Sequence, residues 1–243
     1  MKLYVLTHKN FSILPNLPTC CTPLQVGSAL YPALGFLRDD TGNNISLKND
    51  LYNELTGMYW VWKNSCENII GFCHYRRYFV TLPGKINNLL FGKMEHFLTE
   101  AMILKKLNRY DMIVHNRTFF HQGVYRQLIE HQGQVTVDML EKAVAASGPI
   151  YINAFQQIMN RKSIHLLNMC ITSKSVFDAY ASWLFPVLFH TERLLCQNAM
   201  YTPPPRTMGM LAERLLDVWI TANNIKIAEC LTINTERIDW KVW

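Results

Sequence analysis

The chain has 243 residues, of which 49% are apolar and 17% are charged, and its formal net charge is +6. Because this much apolar surface can offset the entropy lost on folding, the composition excludes a disordered chain, and the ordinary glycine and proline contents exclude a collagen-like one. The mild positive charge suits an anionic ligand or an anionic membrane surface, but it is too small to indicate a nucleic-acid-binding protein.

Helices and strands alternate along the sequence. In chain order, the apolar patterns and turn residues predict a strand at Leu3–His8, a loop-rich segment at Phe11–Asn44, a helix at Asn44–Asn64, a strand at Ile69–Tyr75, a helix at Met94–Leu107, a strand at Tyr110–His115, two or three helices within Gly123–Gln157, a strand at Leu166–Thr172, a helix from Ser175, a helix at Met208–Ala222 and a strand at Ile225–Leu231. Breaks between helices are expected near Gly133 and Gly148, and Pro186 is expected to kink or end its helix. This alternation is typical of an α/β protein with a mostly parallel sheet.

Neither the cysteines nor the hydropathy pattern indicates a secreted or membrane-spanning protein. The seven cysteines are odd in number and lack Cys-x-x-Cys or zinc-ligand spacing, which favours reduced thiols, most of them in the core, and a cytoplasmic location. The first residues lack the apolar run of a signal peptide, and no run of about 18 apolar residues occurs.

Polar residues follow the first two predicted strands, where parallel sheets bind their ligands. These residues are Thr7, His8, His74, Tyr75, Arg76 and Arg77. Two adjacent guanidinium groups after a buried strand favour a clamp on phosphate, because the planar fork of arginine pairs with two phosphate oxygens. The alternative for Arg76 and Arg77 is one structural ion pair and one solvated side chain.

Two pairs of carboxylates are candidates for ligand binding or catalysis. Asp39 and Asp40 can bind a cation or accept hydrogen bonds from a nucleoside, or they can simply form an Asx-type turn. Glu213 and Asp217 are four residues apart and therefore share one face of the helix Met208–Ala222. The alternative for this second pair is a solvated helix face.

Several enzyme classes lack support in the sequence. It contains no phosphate-binding loop of the G-x-x-x-x-G-K-[ST] type, no G-x-G-x-x-G, no G-x-S-x-G and no H-E-x-x-H. It also lacks the Asp-x-Asp triplet with which many nucleotide-sugar transferases hold a divalent cation.

The stretch LQVGSALYPALGFLRDDTGNNISLKNDLYNELTGMYWVWKN, with IIGFCHYRRYF shortly after it, resembles a family of bacterial capsular and exopolysaccharide glycosyltransferases that was long catalogued as a domain of unknown function. The later stretches YDMIV, INAFQQIMNRKSIHLLNMCI, SWLFPVLF and MGMLAERLLDVWI also follow the family pattern in order. The resemblance extends from about Leu3 to Leu231, and it is weakest between His121 and Ser147.

This resemblance implies a single GT-A-like domain with a Rossmann-type, mixed and mostly parallel sheet flanked by helices. Residues 1–120 would form the nucleotide-sugar half, and residues 121–243 the acceptor half with the catalytic helix. The implied reaction moves a sugar, with galactose favoured, from a UDP-sugar to a capsular, O-antigen or exopolysaccharide glycan on a polyprenyl carrier. The implied location is the cytoplasm, with peripheral attachment to the inner face of the membrane.

The chemistry of such a transfer suggests roles for the candidate residues. Arg76 and Arg77, with His74, would neutralise the leaving diphosphate and do the work of a metal, although Mn²⁺ or Mg²⁺ held by Asp39 or Asp40 stays possible. The other donor-binding candidates are Thr7, His8, Asp39, Asp40 and Tyr75. The catalytic carboxylate would be Glu213, as general base in an inverting enzyme or as stabiliser or nucleophile in a retaining one. The residues expected in the acceptor or sugar pocket are Arg161, His165, Asn168 and Asp217. The favoured alternative for His165 is a structural residue whose hydrogen bonds are satisfied within the protein.

Aromatic residues near Pro186 raise the expectation of membrane contact, and the sequence also leaves competing functions open. Trp183, Phe185 and Phe189 are candidates for membrane contact, with burial in the core as the favoured alternative. The competing functions are a non-catalytic nucleotide-sugar binder, a sugar-phosphate transferase and, on charge alone, a nucleic-acid-binding module.

Overall fold

The computed structural model describes residues 1–14, 16–197 and 201–236, and these ranges hold ten strands and nine α-helices. The strands are β1 (Lys2–Thr7), β2 (Cys21–Gln25), β3 (Leu37–Arg38), β4 (Ile69–His74), β5 (Arg77–Val80), β6 (Met112–His115), β7 (Thr118–Phe119), β8 (Ser163–Ile164), β9 (Cys170–Ser173) and β10 (Ile227–Asn234). The helices are α1 (Asn49–Tyr52), α2 (Leu55–Asn64), α3 (Leu82–Phe91), α4 (Glu100–Leu107), α5 (Val124–Gln132), α6 (Gln134–Ala146), α7 (Pro149–Met159), α8 (Lys174–Cys196) and α9 (Thr207–Ala222).

Eight of these strands form one mixed sheet in the order β3-β2-β1-β4-β5-β10-β6-β9, and β9 also pairs with β4. Strands β1, β2, β3, β4, β6 and β10 run in one direction, and only β5 and β9 oppose them. The predicted α/β class with a mostly parallel sheet is therefore confirmed. Because β9 and β10 pair with β4, β5 and β6, both halves of the chain build one domain.

The core lies on both faces of this sheet. Successive side chains of a strand point to opposite faces, so Tyr4 and Leu6 of β1 belong to the larger cluster beneath α2 and α6 to α9, whereas Leu3 and Val5 belong to a smaller cluster. Helix α9 is buried around most of its circumference, which makes it the central helix of the larger layer. The sheet and α9 thus form a rigid frame for the loops at the sheet edge.

Two strands lie inside the segment that the sequence analysis assigned to loop. β2 pairs in parallel with β1 despite its internal Pro23, and β3 pairs with the end of β2. These two strands were not predicted, because prolines and other turn residues dominate the composition of the surrounding sequence. The segment just after Tyr75 also holds β5 and then α3, which were not predicted.

Several predicted elements have different bounds. The helix predicted at Asn44–Asn64 is a 3₁₀ turn followed by α1 and α2, which are separated at Asn53, where φ is +51°. The helix predicted from Met94 begins only at Glu100, where Thr99 provides the N-cap. α8 continues through Pro186, so the expected end of the helix there is wrong. The predicted breaks at Gly133 and Gly148 are confirmed.

The length and apolar character of the helices bear on whether the chain crosses a membrane. No helix of the described residues has both the length and the apolar character that are needed to span a bilayer. Trp183 and Phe185, which were candidates for membrane contact, are only 8% and 0% exposed, so the alternative of core burial holds for both.

Candidate functional site

A cleft of about 520 Å³ opens at the carboxyl ends of β1 and β4. The two strands are parallel neighbours with Leu6 opposite His74, so the residues that follow them meet at one edge of the sheet. The residues that line the cleft are Leu6, Thr7, His8, Val26, Tyr31, Asn49, Asp50, Asn53, Glu54, His74, Arg76, Pro205 and Arg206. The segment before α9 therefore closes a cleft whose floor comes from the sheet.

Two arginines give one side of the cleft its positive charge. Arg76 forms an ion pair with Glu236 over 2.9 Å, and its buried Nε has no hydrogen-bond partner among the described residues. Arg206 has a left-handed backbone, with φ of +68°, and its backbone N–H donates to the Asp50 carbonyl. The Asn53 amide is oriented so that its oxygen accepts from the Arg206 guanidinium. A buried, unpaired guanidinium N–H beside an open cleft is suited to an anionic ligand.

Both histidines of the cleft have lowered pKa values. Burial, assisted by the neighbouring Arg76 and Arg77, lowers the pKa of His74 to about 3. Burial also lowers the pKa of His8, again assisted by nearby cations. The His74 Nδ1 accepts from the Arg76 backbone N–H over 3.3 Å, so the proton of the neutral ring sits on Nε2. Both imidazoles are therefore neutral hydrogen-bonding groups at neutral pH.

A pair of carboxylates, Glu54 and Glu213, lies next to the cleft. Glu54 lines the cleft and accepts a hydrogen bond from the Asn168 side chain over 2.8 Å. Glu213 accepts from the Leu167 backbone N–H over 3.0 Å. Leu167 and Asn168 both have left-handed backbones, with φ of +73° and +49°, and such strain of about 1–3 kcal/mol per residue is concentrated at functional sites.

The surroundings of Glu213 raise the pKa of its carboxyl group. Burial raises the pKa of Glu213, Arg214 opposes this, and the Glu54 carboxylate raises the pKa again. The Arg214 side chain is 1% exposed and donates to the Glu213 carboxylate over 2.9 Å. The alternative of a solvated helix face is therefore wrong, because Arg214 and Asp217 are buried and Glu213 pairs with Arg214. Arg77, at the start of β5, also lowers the pKa of Glu213.

Two buried histidines hold the segment that binds the two carboxylates. The His165 ring is fully buried, with Nδ1 at 2.5 Å from Asp217 and Nε2 at 3.2 Å from Glu229. The His115 Nε2 accepts from the Leu166 backbone N–H over 2.8 Å, and burial lowers the pKa of His115 to about 4. These contacts fix the segment between β8 and β9, which carries Leu167 and Asn168. His165 and Asp217 thus form a bridge, and neither lines the cleft.

The predicted aspartates lie in the loop that follows β2 and β3. Asp39 is 0% exposed, and its carboxylate accepts from the backbone N–H groups of Gly27 and Ser28 and from the Ser46 hydroxyl. Asp40 forms an ion pair with Arg38. Neither side chain lines the cleft. No group of His, Cys, Asp and Glu in residues 1–14, 16–197 and 201–236 is arranged to hold a metal ion.

Three other predicted residues have mainly local contacts. The Thr7 hydroxyl lines the cleft but closes a turn with Lys9. Tyr75 is 4% exposed and lines a smaller neighbouring cavity of about 260 Å³. The Arg161 carbonyl accepts from the Val124 N–H at the start of α5, and Arg161 is not part of the cleft lining.

Sequence reasoning missed Glu54, Arg206, His115 and Glu229. Glu54 follows the break at Asn53 in a predicted helix, and Arg206 follows three prolines, which mark a loop before a helix. Helix breaks and prolines of this kind indicate loop residues, which often carry function. They do not show which loops lie close together in the fold. His115 was predicted at a strand end, the one local signal that placed it at the ligand-binding edge.

Comparisons with known proteins place this architecture in a known group. The family model described as "Domain of unknown function (DUF4422)" matches residues 2–224. The apo structure of the WbbM bifunctional glycosyltransferase is similar, with a TM-score of 0.73 and 26% identity, over 97% of this chain and 45% of that one. The chain thus spans less than half the length of that protein. No curated protein matches the sequence.

Proposed function

The chain belongs to the DUF4422 family, and we propose that it is a glycosyltransferase domain that moves a sugar from a nucleoside-diphosphate donor to a glycan. One observation carries this proposal: a cleft with cationic groups on one side lies beside the carboxylate pair of Glu54 and Glu213. The similarity to a solved glycosyltransferase over nearly the whole chain supports the same reaction class.

Glycosyl transfer requires a group that stabilises the departing diphosphate. As the bond to the sugar breaks, negative charge gathers on the diphosphate, and fixed positive groups lower the barrier. In our proposal, Arg76 and Arg206 contact the diphosphate, and Arg77 adds to the field from the start of β5. The neutral His74 donates its Nε2 proton as a further hydrogen bond. The unpartnered Nε of Arg76 supports this assignment, because a phosphate oxygen would satisfy it.

The transfer also requires a carboxylate near the anomeric carbon. Glu213 has a raised pKa, which makes it a better general base towards an acceptor hydroxyl than an ordinary carboxylate. The same carboxylate can stabilise positive charge on the sugar if the reaction retains configuration. Glu54 lines the cleft and is placed to accept hydrogen bonds from sugar hydroxyls. Arg214 and the Leu167 N–H orient Glu213 for either role.

The identity of the substrates rests on the family resemblance. We propose a UDP-sugar donor, with galactose favoured, and a growing capsular, O-antigen or exopolysaccharide glycan on a polyprenyl carrier as acceptor. The fold would be of GT-A Rossmann type. In this view residues 1–120 supply His8, His74 and Arg76 for the donor, and residues 121–243 supply Arg206 and Glu213.

The proposal includes no metal-dependent step. The carboxylate of Asp39 already accepts three hydrogen bonds from the protein, and Asp40 is neutralised by Arg38. These two residues therefore do not fit a divalent cation on the donor diphosphate.

A ligand screen followed by a turnover assay tests the proposal. We expect UDP and UDP-sugars to raise the melting temperature more than GDP or CMP conjugates, because a ligand that binds only the folded state stabilises it. We then expect UDP release in the presence of an acceptor glycan. Release of UMP would identify a sugar-phosphate transferase, and binding without any turnover would identify a non-catalytic binder.

A further inference from the structure

Helix α3 presents its apolar face to solvent. The exposed fractions are 62% for Leu82, 43% for Ile86, 65% for Leu90 and 68% for Phe91. The first three are four residues apart, so they form one stripe along the helix, and Phe91 lies next to its end. A surface helix of a globular protein normally turns such a stripe towards the core, so the orientation of α3 is reversed.

The reversed orientation is fixed by contacts on the opposite, polar face. A Cβ atom added at Gly84 would lie 2.7 Å from the Glu95 carbonyl oxygen, so the helix is pressed closely against that segment. Asn88 is 2% exposed and donates to the sulfur of Met94 over 3.3 Å. The Lys85 amine donates to the Thr232 carbonyl of β10 over 3.0 Å. The small and polar residues thus hold α3 to the domain and leave the apolar stripe outside.

Both ends of α3 are capped, so the helix does not depend on a covering partner. The Gly84 N–H donates to the Thr81 hydroxyl at the N-terminus over 3.4 Å. At the C-terminus Gly92 adopts a left-handed backbone with φ of +65°, and its N–H donates to the Asn88 carbonyl.

The charges around this stripe are predominantly positive. Helix α3 contains no acidic residue, and five basic residues stand against two acidic ones from Leu82 to Tyr110. The basic residues are Lys85, Lys93, Lys105, Lys106 and Arg109, and the acidic ones are Glu95 and Glu100. Lys106 of α4 reaches the Cys230 thiol and Lys85 of α3 reaches the Thr232 carbonyl, so each helix places a lysine on β10. Lys93, Lys105 and Arg109 are exposed.

We propose that α3 and the basic end of α4 bind the surface of an anionic lipid membrane. The apolar stripe would enter the boundary between headgroups and acyl chains, and the exposed basic side chains would contact anionic headgroups. The charge pattern favours a lipid membrane over a protein partner. The binding surface must offer negative charge next to an apolar layer, and an anionic bilayer has this arrangement. This surface differs from the one expected from Trp183 and Phe185, which are buried.

Vesicle flotation with the purified chain tests this proposal independently of any transfer activity. The probes are vesicles of phosphatidylcholine alone and vesicles containing about one third phosphatidylglycerol. We expect the chain to float with the anionic vesicles, and about tenfold less with the double variant Leu90→Ser/Phe91→Ser or with Lys105→Gln/Arg109→Gln. The matched control Ile150→Ser, which changes a residue that is 54% exposed on α7, should float like the parent chain.

Three results would overturn the proposal. They are failure of the parent chain to float with either vesicle, equal flotation with neutral vesicles, and a dimer in light scattering that Leu90→Ser/Phe91→Ser abolishes, which would assign α3 to a second copy of the chain. Thermal melting checks that each variant is folded, which we expect because the changed side chains are exposed.

Discussion

Asn168 donates its side-chain amide to Glu54 over 2.8 Å, while the preceding residue, Leu167, donates its backbone N–H to Glu213 over 3.0 Å. Two consecutive left-handed residues therefore hold both carboxylates of the candidate site. The Asn168 amide also donates to the Gly209 carbonyl in the first turns of α9. A single strained turn thus connects the cleft at the sheet edge to the central helix.

Glu213→Gln should remove the proposed catalytic carboxylate while it preserves the shape of the site. The glutamine oxygen can still accept from the Leu167 N–H, so we expect the variant to fold. Loss of a general base lowers kcat by about 10²–10⁴-fold, and we expect a decrease in this range with a small change in donor affinity. UDP release in single-turnover assays measures the effect.

The control for this experiment is Glu130→Gln. Glu130 lies on the surface of α5, where it pairs with Arg126 and Gln122 of its own region. Near-normal turnover of a folded Glu213→Gln protein would remove Glu213 from the mechanism.

Arg206→Gln should weaken binding of the donor diphosphate. A hydrogen bond to a charged group contributes about 1.5–3 kcal/mol, so the dissociation constant for a UDP-sugar should rise by roughly 10-fold or more. Calorimetry gives the constant. Arg126→Gln on the surface of α5 is the matched control, since Arg126 is exposed and pairs with Glu130 of the same helix. If Arg206→Gln bound UDP-sugar like the parent chain, the diphosphate would have to lie elsewhere.

The pKa of His74 makes the stability of the chain depend on pH. The pKa is about 3 in the folded state, below the unfolded value of about 6.5, so the unfolded state binds more protons between these two values. Stability attributable to His74 is therefore present at neutral pH and is lost as the pH falls below about 6.5. At pH 5 the loss should be roughly 2 kcal/mol.

Urea denaturation of the parent chain and of His74→Asn at pH 7.5 and pH 5 measures this contribution. We expect the difference between the two pH values to be smaller in the variant, because asparagine does not titrate. An identical difference in both proteins would mean that His74 is readily protonated in the folded state and that the field at the cleft is weaker than its neighbours indicate.

The strands that carry the donor end of the site could be predicted because their signals are local. The continuous apolar runs that end at Thr7 and His74 are typical of buried central strands. The polar residues that follow each run in the sequence must then lie at the end of a strand. Glu213 was singled out as one of two carboxylates on one face of a predicted helix, and its catalytic role was implied by the family resemblance. The residues after the two strands required only the rule that ligands bind at the carboxyl ends of parallel strands.

The remaining parts of the site depend on contacts that are distant in sequence. Glu54 and Asn168 are 114 residues apart, and His165 and Glu229 are 64 apart, so no local pattern connects them. The left-handed turn at Leu167 and Asn168 lies in an apolar run that reads as a strand, because tertiary hydrogen bonds override the local preference. The reversed orientation of α3 is equally invisible in sequence, since an apolar stripe normally predicts burial.

The position of Asp39 leads to a test that separates a structural role from a metal-binding one. Asp39→Asn removes the charge and turns an amide N–H₂ towards at least one of the three donors, and breaking a buried charged network costs about 2–4 kcal/mol of folding stability. Asp40→Asn should cost less than about 1 kcal/mol, because its ion pair with Arg38 is partly solvated. Since neither side chain lines the cleft, we expect both variants to bind UDP-sugar normally below their melting temperatures, and turnover to persist in excess EDTA. A stable Asp39→Asn protein that has lost donor binding, or EDTA inhibition that manganese reverses, would instead place a cation on Asp39 and leave the arginines a secondary role.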